Sequence, residues 1–198
     1  MTWIRGEKAQ VDAWGTIGNE GWSWDELLPY YKKSEDFVAP TAAQIAAGAS
    51  SDPADHGKGG PLKVGYSYGL QNGSLHESVE TAWESLGMSP ILDANGGHVR
   101  GFNVWQSTLD REANVREDAA RAFYYPFQER LNLFVFLNTS ANKIMWKTGG
   151  EGMTADGVEV TSSNGTVSSI KARREVIVSA GSLRSPTILE HSGIGNPR

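Results

Sequence analysis

The sequence predicts an α+β protein made of short helices, with its strands gathered toward the C-terminal half. Three observations carry that expectation. Two helix-start signals, Ser23-Trp24-Asp25-Glu26 and Ser74-Leu75-His76-Glu77, have the capping-box pattern and lead into apolar residues at helical spacing. Between residues 131 and 179, β-branched and aromatic runs alternate with the turn pairs Gly149-Gly150 and Asn164-Gly165. In the closing stretch, Val176-Ile177-Val178 runs into the small residues Ser179, Ala180 and Gly181, then into a Ser185-Pro186 helix start and a Ser192-Gly193 stop.

Taken from the N-terminus, residues 7–14 read as a short helix followed by the turn Gly18-Asn19-Glu20-Gly21. Ser23 opens a second helix with Leu27, Leu28 and Tyr31 on one face, and Pro29 argues against a much earlier start. Residues 36–60 are rich in Ala, Ser, Pro, Asp and Gly, which predicts a loop with a helical piece over Thr41–Ala47. Within it, Asp55-His56-Gly57-Lys58-Gly59-Gly60 has a Gly-Lys pair followed by Gly. A phosphate loop needs Ser or Thr there, so the segment reads as a turn.

Residues 62–68 read as a strand. The Ser74 helix is expected to turn Val79, Ala82, Trp83 and Leu86 inward and to stop at Gly87. His76 then faces solvent, since no His or carboxylate cluster with metal spacing surrounds it. Asn95-Gly96-Gly97-His98 is a turn, and residues 102–109 have mixed strand character. Residues 114–125 read as a third helix, with Ala119, Ala120 and Phe123 inward. Its Arg116, Glu117, Asp118 and Arg121 form a solvated face, and Pro126 ends it. Residues 131–137 give the strongest strand signal. Strands at 143–147, 157–161, 166–170 and a buried one at 175–179 follow.

Composition narrows the function. With 198 residues, 39% hydrophobic and 21% charged, the chain can bury a sizeable core. A net charge of −5 argues against nucleic acid or an anionic membrane as partner, and no apolar run is long enough to span a bilayer. No cysteine is present, which excludes thiol catalysis, disulfides and thiolate metal sites within the chain. No cleavable signal is visible at the N-terminus. Three sequons, at Asn72, Asn138 and Asn164, are compatible with secretion.

A family resemblance sharpens this. Gly181-Ser182-x-x-Ser185-Pro186-x-Ile188-Leu189-x-x-Ser192-Gly193-Ile194-Gly195 resembles the second signature of the glucose–methanol–choline (GMC) flavin oxidoreductases. Met1-Thr2-Trp3-Ile4-Arg5-Gly6 is similar to the end of that family's first signature, where backbone and a small hydroxyl residue touch the flavin. Residues 18–24 and 44–48 resemble the glucose oxidase branch, and the Arg116-x-Asp118-Ala119-Ala120 segment before Pro126 is similar to a family helix.

The resemblance implies part of a GMC-type FAD-binding domain, with strands and short helices, a portion of the substrate-binding region and an incomplete Rossmann-like core. Residues 1–198 are then a single partial domain, lacking the upstream dinucleotide-binding motif and the downstream catalytic domain. FAD is the implied cofactor. By carry-over, Thr2 is a cofactor contact, Ala141 meets the adenine through its backbone, and Ala180 and Gly181 pack close to the cofactor.

The implied reaction oxidises an alcohol or sugar hydroxyl, with hydride passing to flavin and oxygen or another acceptor reoxidising it. The family's catalytic histidine lies outside the chain, so no catalytic residue and no metal ligand is assigned here. A homodimer and a secreted location are expectations for a full-length protein. The chain alone is expected to be inactive. The alternatives are a carbohydrate-binding module using Trp22, Trp24 and Trp105 as stacking surfaces, or a truncated product without function.

Overall fold

The computed structural model of the protein describes residues 2–70, 74–149 and 152–196. It divides into two compact units, 1–133 and 134–198. The expected cap at Ser74 and the sequon at Asn72 fall outside the side chains described.

In the first unit, α1 (Lys8–Thr16) precedes α2 (Trp24–Ser34). Glu26 accepts from the Ser23 backbone N–H at 3.0 Å, closing the expected capping box. Asp25 and Glu26 lie in the first turn of α2 and Lys32 and Lys33 in the last, which suits the helix dipole. Pro29 sits inside the helix. Thr41 caps α3 (Ala42–Ala46) in a second box with Gln44.

A four-stranded sheet runs in the order β1 (Glu35–Phe37), β2 (Leu62–Gly65), β3 (Ser107–Asp110) and β4 (Val115–Arg116). β1 is parallel to β2, and the other pairs are antiparallel. Phe37, Leu62, Val64 and Tyr66 form the core with Ala49 and Ala122, and Trp3 and Val104 pack against them. Thr2 bridges to Ser107, so the N-terminal segment is laid along β3.

Two expectations are corrected in this unit. Residues 115–116 pair with β3 instead of starting a helix, and α5 covers only Ala119–Phe123, capped by Asp118. The inward residue is Ala122, while Glu117, read as solvated, is buried beside Arg121. The helix α4 (Ser74–Ser85) forms and Gly87 follows it with φ +82°, as expected of a stop. Its apolar face is open, however: Val79, Trp83 and Leu86 are all exposed, with Trp83 meeting Phe102 edge-on. No helix among the described residues is long and apolar enough to cross a membrane.

The second unit is an antiparallel meander of β5 (Thr139–Trp146), β6 (Ala155–Ser162) and β7 (Val167–Lys171), with α6 (Gly181–His191) packed on β5. Asn164-Gly165 makes the expected hairpin, with Gly165 at φ +82°. Gly157 is required for a different reason: a Cβ there would stand 2.2 Å from the Ile170 carbonyl oxygen.

Two predicted strands are absent. Residues 133–136 and 175–179 are irregular, and Phe136 and Ile177 are exposed. Both runs have strand composition, but no segment among the described residues pairs with them as a strand. A strand exists only when a neighbour takes its backbone hydrogen bonds. α6 also begins earlier than Ser185. The Ser185 hydroxyl accepts from the Ala180 N–H at 3.0 Å, and Pro186 falls inside the helix.

Candidate cofactor site

In the second unit, a cleft of about 800 Å³ runs between β5 and α6. Ala141 and Ala180, both predicted cofactor contacts, face each other across it with Asn142, Arg184 and His191. β5 is the edge of its sheet, so one side of its backbone is free of ladder bonds. The register of β5 against β6 shifts between Ala141 and Lys143. That bulge turns Asn142, whose amide donates to Thr161 Oγ1 at 2.8 Å.

Gly181 starts α6 at φ +87°, a backbone conformation L side chains rarely adopt. Among the described residues, no atom beyond its chain neighbours and its own helix backbone lies within 4 Å of where its Cβ would stand. The helix is anchored from its other end. Ser192 Oγ accepts from the Ile144 N–H at 2.7 Å, and the Trp146 indole donates to the Ser192 carbonyl at 2.7 Å.

Lys143 and Arg184 bring positive charge to the cleft, with Lys143 Nζ 3.4 Å from Glu159. The size lies within the range of small-molecule pockets, about 300–1,000 Å³. Small residues, the start of α6 and Arg184 suit a nucleotide-bearing group, while the charge of Lys143 is offset by Glu159, which also lines the cleft.

Thr2 belongs to the first unit. It is exposed and held by its bridge to Ser107, next to the Trp3 N–H donating to Gln106 at 2.9 Å. Beneath this segment lies a cluster no sequence pattern announced. His56, buried at 6% exposure, has Nδ1 at 3.1 Å from Glu35 Oε1 and Nε2 at 2.8 Å from Asp93 Oδ2. Glu35 Oε1 also accepts from Arg5 Nη2 at 2.9 Å and from the Gly57 N–H at 2.7 Å. Its Oε2 accepts from the Trp3 indole at 2.9 Å.

Asn95, wholly buried, accepts from the Arg5 N–H at 2.9 Å and donates to the Trp3 carbonyl at 3.1 Å. Gln106 donates to both oxygens of Asp93 at 3.2 Å. Most polar groups in this cluster are matched with another, as burial requires, and Arg5 Nε is a buried donor without a partner.

The charges follow from the geometry. A neutral imidazole has one N–H, and His56 has a carboxylate at each nitrogen, so only the cation satisfies both. Burial opposes that charge, but the hydrogen bonds to Asp93 and Glu35 outweigh it and raise the His56 pKa. Burial likewise opposes ionised Glu35 and Asp93, yet the bonds from His56 and from backbone amides hold both below their ordinary values. Two cations, Arg5 and His56, thus balance two anions inside the fold.

The other histidines do not share this setting. His76 sits 3.1 Å from Glu80 and His98 is exposed. Of the three tryptophans considered for sugar stacking, Trp24 is buried at 3% exposure. Among the described residues, no group of His, Asp or Glu could hold a metal ion.

Comparison with known proteins agrees on one family. The model for GMC oxidoreductase matches residues 1–198. A glucose oxidase-like protein, fsoC from Humicola fuscoatra, is 49% identical over 189 residues, covering 93% of this chain and 32% of the relative. Glucose oxidase of Aspergillus carbonarius is 37% identical, covering 98% of this chain and 32% of its own length. Among solved structures, an FAD-dependent oxidoreductase from Chaetomium thermophilum superposes with a TM-score of 0.87 at 32% identity, over 98% of this chain and 33% of that one. The chain therefore spans about a third of the length of the relatives it matches.

Proposed function

The chain belongs to the GMC oxidoreductase family, and on that premise we propose that it forms part of the FAD-binding region of an enzyme oxidising an alcohol or sugar hydroxyl. The observation that carries this reading is the cleft with Ala141 on one wall and Ala180 on the other. Both residues are cofactor contacts by the family resemblance, and both are small.

In this reading the backbone at Ala141 holds the adenine, with Ala180 and Gly181 admitting the cofactor near the head of α6. For Thr2, in the first unit, a cofactor contact rests on the family resemblance alone. When bound, flavin supplies the hydride acceptor. The residues of this chain bind and orient, and the proton acceptor for the substrate hydroxyl lies on other segments. His56 is unsuited to that task because both of its nitrogens are engaged. Oxygen or another acceptor would reoxidise the flavin. A secreted location accords with the sequons at Asn138 and Asn164, both exposed.

The test is substitution of Ala180, an exposed residue whose replacement leaves the core alone. In the complete flavoprotein, Ala180→Trp should weaken FAD binding more than tenfold with the circular dichroism spectrum unchanged. Wild-type FAD affinity in that variant would remove the cleft from the reading. The 198-residue chain alone should neither retain FAD nor turn over. Flavin absorbance with alcohol-dependent peroxide formation from the isolated chain would contradict that.

A further inference from the structure

We propose that His56 is a positioning residue: clasped as a cation between Glu35 and Asp93, it fixes the Thr2–Arg5 segment and so sets how tightly this protein holds its flavin. The proposal rests on the reading above, in which Thr2 is a cofactor contact.

The mechanical path is short. His56 meets Glu35 through Nδ1, and Glu35 takes the Trp3 indole on one oxygen and the Arg5 guanidinium on the other. On the opposite side His56 meets Asp93 through Nε2. Asp93 Oδ1 accepts from the Asn95 N–H at 2.8 Å, and Asn95 grips the Arg5 N–H and the Trp3 carbonyl. Residues 3 and 5 are therefore held from both sides through one imidazole, and Thr2 follows directly on Trp3.

Removing the proton from His56 changes the balance. One ring nitrogen then turns a lone pair toward a carboxylate about 3 Å away, an arrangement that repels. Two buried anions would face a single remaining cation, Arg5. The other titratable groups around His56 worsen this. Asp52 and Asp55 come from its own loop, and Asp52's backbone N–H donates to Asp93 Oδ2 at 3.0 Å. Tyr66, at the end of β2, stays protonated because burial raises its pKa and Asp93 adds to the effect. Glu35 and Asp93, which hold Trp3, Arg5 and Asn95, carry that imbalance, so it reaches the Trp3–Arg5 segment.

A merely structural histidine would affect folding without linking its own titration to flavin. The experiment therefore compares two titrations in the complete flavoprotein. One follows the His56 ring by NMR, and the other follows FAD affinity by flavin fluorescence over the same pH range. The expected result is a fall in affinity of about tenfold with the same midpoint as the ring titration. In folded His56→Gln, affinity at about pH 6 should be lower than wild type and should no longer step with pH.

An affinity that stays flat across the measured His56 titration overturns the proposal. Wild-type affinity in folded His56→Gln does so as well. If that variant does not fold, the two wild-type titrations decide alone. Failure of the wild-type protein to take up FAD at any pH overturns the functional reading and this proposal with it. Uptake with a flat pH profile overturns this proposal only.

Discussion

The Phe37 ring lies against the His56 imidazole with centroids 3.7 Å apart and planes 12° from parallel. Phe37 is a core residue of β1, so the cation is pressed on an apolar face while carboxylates hold its edges. Stability should follow this charge. His56 has a raised pKa in the fold, so its contribution is complete below about 6.5 and is lost as pH rises through the raised value. Glu35 and Asp93 are lowered, so their contribution is complete above about 4 and is lost as pH falls through the depressed values. Asp55 is raised by burial and by Asp52 and Asp93, and it blunts the acid side. Urea titrations of the whole chain should therefore show greatest stability between about pH 5 and 6. Stability that goes on rising toward about pH 8 would contradict the cationic His56.

Gly57 should be irreplaceable. A Cβ there would stand 1.7 Å from the Lys32 carbonyl oxygen, a backbone atom that cannot swing aside. Gly57→Ala should cost about 3 kcal/mol or more, read as a drop in the melting temperature. Gly59, where a Cβ meets nothing within 4 Å but φ is +72°, should tolerate Asn much better than Val.

Arg5 should behave as one half of a buried pair. Its loss leaves Glu35 with no cation but His56 and frees two carbonyls that its guanidinium serves, those of Asp55 and Asn95. Arg5→Met should destabilise the protein by about 3–5 kcal/mol. The double variant Arg5→Met, Glu35→Gln should be less destabilised than the sum of the two single variants. Additivity would show that the two residues do not act together.

Ser192 should be the joint of the second unit. Its hydroxyl accepts from the Ile144 N–H and donates to the Ile188 carbonyl at 2.5 Å, tying the end of α6 to β5. Ser192→Ala leaves that buried N–H unserved and should cost about 1–3 kcal/mol. Hydrogen exchange at Ile144 should quicken. Unchanged exchange there would refute the role.

Asn164 sits at an exposed hairpin tip, its side chain accepting from the Thr166 N–H at 3.0 Å. Produced through a eukaryotic secretory pathway, the protein should carry a glycan at this residue. Endoglycosidase should lower the mass of the wild type more than that of Asn164→Gln. Equal shifts would place no glycan there.

Local signals were legible in the sequence and long-range ones were not. The Ser23–Glu26 box and the Asn164-Gly165 hairpin depend on neighbours a few residues away, and both formed as read. Residues 114–125 looked helical, but pairing of Val115 with Asp110 took the first part into a sheet. Residues 131–137 and 175–179 have the composition of strands and lack a strand partner among the described residues. Ala141 and Ala180 came from motif resemblance and meet at one cleft. His56 was dismissed as part of a turn because its partners, Glu35 and Asp93, lie 21 and 37 residues away. No spacing rule joins residues that distant.

The bond from the Arg5 N–H to Asn95 closes a loop of 90 residues. Ring closure of that length has a large entropic cost, so this contact is expected late in folding. On the ribosome the Arg5 N–H must wait for its partner until Asn95 has emerged, whereas the β6–β7 hairpin has its partners within a few residues of each other. The Trp3–Arg5 segment is thus made well before it is fully locked, and that interval is when a chaperone or a protease would find it.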